Sequence, residues 1–101
     1  MHLVQILLPL YDNDGNRFDA QTYGAVRTEL TNLYGGLTAY SRAPAEGLWE
    51  SDGGLKQDDI IVFEVMVQEL KKSWWSRYRK ELETRFRQDT ILIRAQKCET
   101  L

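Results

Sequence analysis

The chain has 101 residues, 43% of them hydrophobic and 28% charged, with a formal charge of −2. This is ordinary globular composition, so one domain over residues 1–101 is expected, burying roughly two thirds of the surface its unfolded chain exposes. The small net charge excludes a general attraction to nucleic acid or acidic membranes, although seven Lys/Arg against two Glu between Lys71 and Arg87 leave +5 there and −7 elsewhere.

The first strand is predicted over His2 to Leu10, with Val4, Ile6 and Leu8 on one face and Leu3, Gln5 and Leu7 on the other. Pro9 cannot donate to a ladder and marks where pairing stops. A polar turn, Asp12 to Asn16, leads to a helix with Asp19 as N-cap, whose carboxylate accepts the free amide protons of the first turn. Phe18 and Tyr23 have hydrophobic-staple spacing across that cap. Tyr23, Val26, Leu30, Leu33 and Tyr34 form a core-facing stripe, and Gly35 is the left-handed stop.

The second strand starts at Leu37, with Leu37, Ala39 and Ser41 opposed to Thr38, Tyr40 and Arg42. A jog at Ala43 to Gly47 precedes Leu48 to Ser51. A turn at Asp52-Gly53-Gly54 then makes Gly35 to Val67 one long β-hairpin arm. Its return leads into the most β-prone segment, Ile60 to Val67. A second helix is predicted over Glu69 to Arg87, with Leu70, Trp74, Tyr78, Leu82 and Phe86 in an i+4 row and Trp75 on its flank. Lys72, Ser76, Arg79, Lys80, Glu83 and Arg87 take the solvated side. Thr90 to Gln96 is the last strand, with Ile91, Ile93 and Ala95 alternating against Leu92, Arg94 and Gln96.

The order β-α-β-β-α-β is that of the ferredoxin-like α+β sandwich, a four-stranded antiparallel sheet with two helices on one face. Right-handed crossovers give the strand order 4-1-3-2. The face away from the helices then carries Leu3, Leu7, Val62, Met66 and Leu92, a patch of the kind that marks an interaction surface. A second copy of the sheet is the simplest cover, in a two-fold homodimer that forms a closed α+β barrel or packs its sheets back to back. Trp49, in the arm, is the expected anchor for that partner, the alternative being that it folds back over an apolar edge of its own chain.

The same face carries polar groups. Glu64 interrupts an apolar strand, so it needs a partner there, an ion pair with Arg42 or a hydrogen bond with Tyr40. Gln5, Tyr40, Arg42, Glu64 and Arg94 together suit a cleft for a small polar or anionic ligand. Trp74 and Trp75 read as core.

Other chemistries find little support. Cys98 is the only cysteine and His2 the only histidine, which excludes a disulfide framework, a multi-cysteine or histidine-rich metal site, and an interior Ser-His-Asp arrangement. A reducing, cytoplasmic location fits. MHLVQILLPL lacks the basic n-region and cleavage site of a signal peptide, and no apolar run reaches membrane-spanning length. Asp12, Asp14 and Gly15 match a fragment of a calcium loop without its later Glu. Asp58 and Asp59, adjacent in a strand, point to opposite faces. No phosphate loop, GxGxxG or CxxC occurs, so no cofactor or metal is expected.

Tyr34-Gly35-Gly36-Leu37-Thr38, Gly47-Leu48-Trp49 and Asp52-Gly53 before an acidic pair and an apolar strand resemble small bacterial ferredoxin-like domains of unknown function. The resemblance implies that fold and a bacterial, cytoplasmic origin, and no activity. A homodimeric small-ligand-binding or regulatory domain is therefore the leading expectation. A cofactor-independent monooxygenase- or isomerase-like enzyme, with Glu64 or Tyr40 as its titratable group, is the alternative. RNA binding of the RRM sort is disfavoured, because Phe63 is the sole aromatic of the third strand and lies on the helix side.

Overall fold

A computed structural model describes residues 1–42, 50–51, 54–55 and 60–101. Its elements are β1 (His2–Pro9), α1 (Ala20–Tyr34), β2 (Thr38–Arg42), β3 (Glu50–Ser51), β4 (Gly54–Leu55), β5 (Ile60–Val67), α2 (Lys72–Arg85) and β6 (Leu92–Lys97). The main sheet has the order β2-β5-β1-β6 with every neighbour antiparallel. Burial alternates along β1 and, apart from Val62, along the end of β5, Val4, Ile6 and Leu8 being buried on the same side as Phe63, Val65 and Val67. Against that side pack Tyr23, Val26 and Leu30 of α1 and Trp75, Tyr78 and Leu82 of α2, with Phe86 and Ile91 completing the core.

Local chemistry sets the ends of α1. Asp19 Oδ1 accepts the Gln21 amide at 3.0 Å, and Phe18 meets Tyr23 edge-to-face with ring centroids 6.5 Å apart, so cap and staple act together. Gly35 closes the helix at φ 78°, its amide donating to the Thr31 carbonyl. Only glycine takes that left-handed conformation without a Cβ penalty.

Four expectations need correction. Leu33 is 56% exposed, because the buried side of α1 is narrower than the stripe drawn from periodicity and Leu33 falls beyond its edge. Helix α2 is shorter than Glu69 to Arg87: Lys71 at its N-cap has no side-chain acceptor to start it earlier, while Leu70 packs on the core from outside the helix. At its other end Arg87 adopts φ 51°, and the Arg87 and Gln88 amides bond back to the Thr84 and Glu83 carbonyls, a Schellman stop without glycine.

Trp75, expected on the flank of α2, is buried, whereas Trp74 of the i+4 row is half-buried. The burying spacing is Trp75, Tyr78, Leu82, Phe86. Trp75 stacks on Tyr34 at 5.6 Å while Trp74 stacks on Tyr78 at 4.9 Å, so both indoles still pack on the core. Finally, Gly54 is a strand residue rather than part of the turn, since β3 and β4 pair Ser51 with Gly54 and Glu50 with Leu55. Residues 43–49, 52–53 and 56–59 of the expected arm, with the jog, Trp49, Asp58 and Asp59 among them, lie outside the described residues.

Candidate functional site

The sheet face away from the helices is built from the alternate residues of each strand. Register aligns them in rows: Gln96, Leu3 and Met66; then Arg94, Gln5, Glu64 and Thr38; then Leu92, Leu7, Val62 and Tyr40. The middle row is polar from edge to edge. Arg94 Nε donates to Gln5 Oε1 at 2.8 Å, and Gln5 Nε2 donates to Glu64 Oε2 at 2.6 Å. A guanidinium on one side and a carboxylate on the other leave the Gln5 amide one sensible orientation, acceptor toward Arg94 and donor toward Glu64. The row therefore presents a cation at β6 and an anion at β5, joined by a neutral relay on β1.

Apolar side chains frame this row. Met66 is 38% and Leu92 50% exposed, whereas Val62, on the same face and outside the helix-side core, is 1% exposed. In the Leu92, Leu7 and Val62 row the β5 position is thus covered while the β6 end is half exposed, and Met66 is exposed further along β5.

The structure brings Gln5, Glu64 and Arg94 into direct contact. Tyr40 and Arg42 stand in register with Val62 and Ile60, so the residue directly across from Glu64 on β2 is Thr38. Tyr40 stands one same-face step from Thr38 along β2, and the side chains of Tyr40 and Arg42, the partners expected for Glu64, lie outside the described residues. Gln5 as a partner of Glu64, and Thr38 as its neighbour, were missed because alternation alone does not give the strand offset. The signal available was the parity of Gln5 and Glu64 on adjacent central strands.

Among the described residues, two clefts lie elsewhere. One, of about 220 Å³, runs between α2 and β6 over Val4, Leu70 and Ile93; another, of about 420 Å³, lies between the outer sides of the helices beside Leu33, Trp74 and Tyr78. Beside the second, Glu29 accepts two hydrogen bonds from Arg85, at 2.7 and 2.6 Å, and one from Tyr78 at 2.8 Å. The Arg85 guanidinium holds the Glu29 carboxyl below its ordinary value, while burial and then the Glu29 hydrogen bond push the Tyr78 hydroxyl up. With Arg85 also bonded to Glu81, this cluster ties α1 to α2.

Asp12 has a local role. Its carboxylate takes the Asp14 and Asn16 amides at 2.9 and 2.8 Å and pairs with Arg87 at 3.3 Å, and the Asn16 contact leads in holding its pKa down. Among the described residues no group of three or more His, Cys, Asp or Glu is placed to hold a metal, and no helix is long and apolar enough to cross a membrane.

These elements define a small α+β domain with ferredoxin-like strand and helix order, whose open sheet face carries a mixed polar and apolar surface. No family model and no curated protein matches the chain. Among solved structures it is similar to a phage SAM lyase in complex with S-methyl-5'-thioadenosine, with a TM-score of 0.63 and 14% identity over 95% of this chain and 80% of that one. At that identity the likeness is one of fold.

Proposed function

We propose that this chain binds a small polar ligand on its open sheet face, with Glu64, Gln5 and Arg94 as the recognising row. Tyr40 and Arg42 join the proposed lining by their register positions. The observation that carries the reading is the hydrogen-bonded series from Arg94 through Gln5 to Glu64, held across three strands on the face that the helices leave open. Fixed polar groups framed by apolar ones are the usual make-up of a small-molecule site.

The similar phage enzyme, in complex with a thioether nucleoside, supports a ligand of that class. S-adenosylmethionine bears a sulfonium, an ammonium and a carboxylate; a site with one carboxylate and one guanidinium complements those charges. S-methyl-5'-thioadenosine lacks them. Calorimetry with both compounds tests the reading. Arg94→Gln is expected to weaken S-adenosylmethionine about tenfold, roughly 1.4 kcal/mol, and to leave S-methyl-5'-thioadenosine nearly unchanged. Absence of heat and of thermal stabilisation with both compounds would remove this ligand class.

A second reading, a cofactor-independent enzyme with Glu64 or Tyr40 as its titratable group, is favoured by the neighbour's being a lyase. Incubation with S-adenosylmethionine and chromatography for S-methyl-5'-thioadenosine separates the two. Conversion abolished by Glu64→Gln supports the enzyme, and binding without conversion leaves the ligand-binding domain.

A further inference from the structure

The open face has a charge pattern that selects one arrangement of two chains. We propose that a second copy of this chain docks on it about a two-fold axis running along β1, placing Glu64 of each protomer against the partner's Arg94.

Gln5 sits on the central strand β1, with Glu64 beside it on β5 and Arg94 on β6. Each flanking strand stands about 4.8 Å from β1, so the charges are nearly equidistant from the β1 line and opposite in sign. A two-fold axis parallel to β1, midway between facing sheets, exchanges the β5 and β6 sides and keeps every row at its own level. Carboxylate then meets guanidinium twice. The other simple two-fold, perpendicular to the strands through Gln5, sets Glu64 against Glu64 and Arg94 against Arg94, and like charges brought together are costly. Sheets facing one another stand about 10 Å apart, a gap that Arg and Glu side chains reach across from opposite sides. Among the described residues Arg94 has no carboxylate partner in its own chain, its one hydrogen bond being from Nε to Gln5.

The apolar pattern agrees with the same axis. Leu3 and Leu7, on β1, meet their own counterparts. Leu92, half exposed, comes to the level of the partner's apolar row, at its β5 end, rather than to the polar Gln96. With the perpendicular axis Leu92 would face Gln96 and stay poorly packed.

Charge reversal followed by light scattering and sedimentation velocity, without added ligand, tests this. The wild-type chain is expected to be a dimer at tens of micromolar. Glu64→Arg and Arg94→Glu are each expected to raise the dimer dissociation constant at least about tenfold, and the double reversal to restore it. A monomeric wild type, single variants that dimerise unchanged, or a double variant that stays monomeric with a native circular dichroism spectrum would each overturn the arrangement. Ligand and second copy would compete for Glu64 and Arg94. The dimer is therefore measured without ligand, and the calorimetry is run below the dimer dissociation constant, where either result can fail without the other.

Discussion

At the residue scale, two left-handed positions end the two helices with different side chains, Gly35 through a single bond to Thr31 and Arg87 through the paired Schellman bonds. Gly35, at φ 78°, has open space where a Cβ would stand, so Gly35→Ala is opposed by backbone conformation alone. It is expected to cost about 1 kcal/mol in urea unfolding; no change would mean that the turn relaxes freely. Arg87 fills the equivalent place after α2 without that freedom, and its side chain reaches Asp12 and lies 5.9 Å from the centre of the Phe18 ring. Those contacts attach the end of α2 to the loop before α1.

Glu29 carries the clearest pH dependence. Its folded pKa is lowered, chiefly by Arg85, so its contribution is present above the unfolded glutamate value and is lost as pH falls through the folded one. Glu29→Gln is expected to reduce stability at pH 7 by under about 1 kcal/mol, the group being partly solvated. Paired urea titrations should show that difference shrinking toward pH 3, and a difference that grows in acid would contradict the assignment.

At the element scale, α1 and α2 are held by a shared apolar seam and the Tyr78, Glu29 and Arg85 cluster. The seam's edge is sharp. Leu30→Ala is expected to cost about 2–5 kcal/mol, while Leu33→Ala stays within about 0.5 kcal/mol, both by chemical denaturation. A large loss at Leu33 would show that something covers it in solution. Trp75 Nε1 is buried with no hydrogen-bond partner among the described residues; its burial rests on rings, with Tyr34 stacked and Trp74 and Tyr78 edge-on.

At the scale of the whole molecule, the sheet has one face filled by helices and one that meets water, a ligand or another chain. Leu92 distinguishes these. Leu92→Lys is expected to leave unfolding of the dilute chain within about 0.5 kcal/mol, because half of the residue is already exposed. The same change should raise the dimer dissociation constant about tenfold in sedimentation; a dimer indifferent to it would place the contact elsewhere.

Local pattern was enough for much of this molecule. Alternation in Val4, Ile6 and Leu8 and in Phe63 and Val65 marked the core face, since strand side chains change side at every residue. Asp19 and Gly35 marked the ends of α1 through short-range hydrogen bonding and backbone freedom. What required the tertiary structure was every quantity that depends on how two separate segments align. Parity says which face a residue takes; only strand offset says which residue it meets. Arg94 beside Gln5 was legible from strand order and parity; the offset joined Gln5 to Glu64 and set Thr38 directly across from Glu64, and the packing of the helices left Leu33 outside and drew Trp75 in.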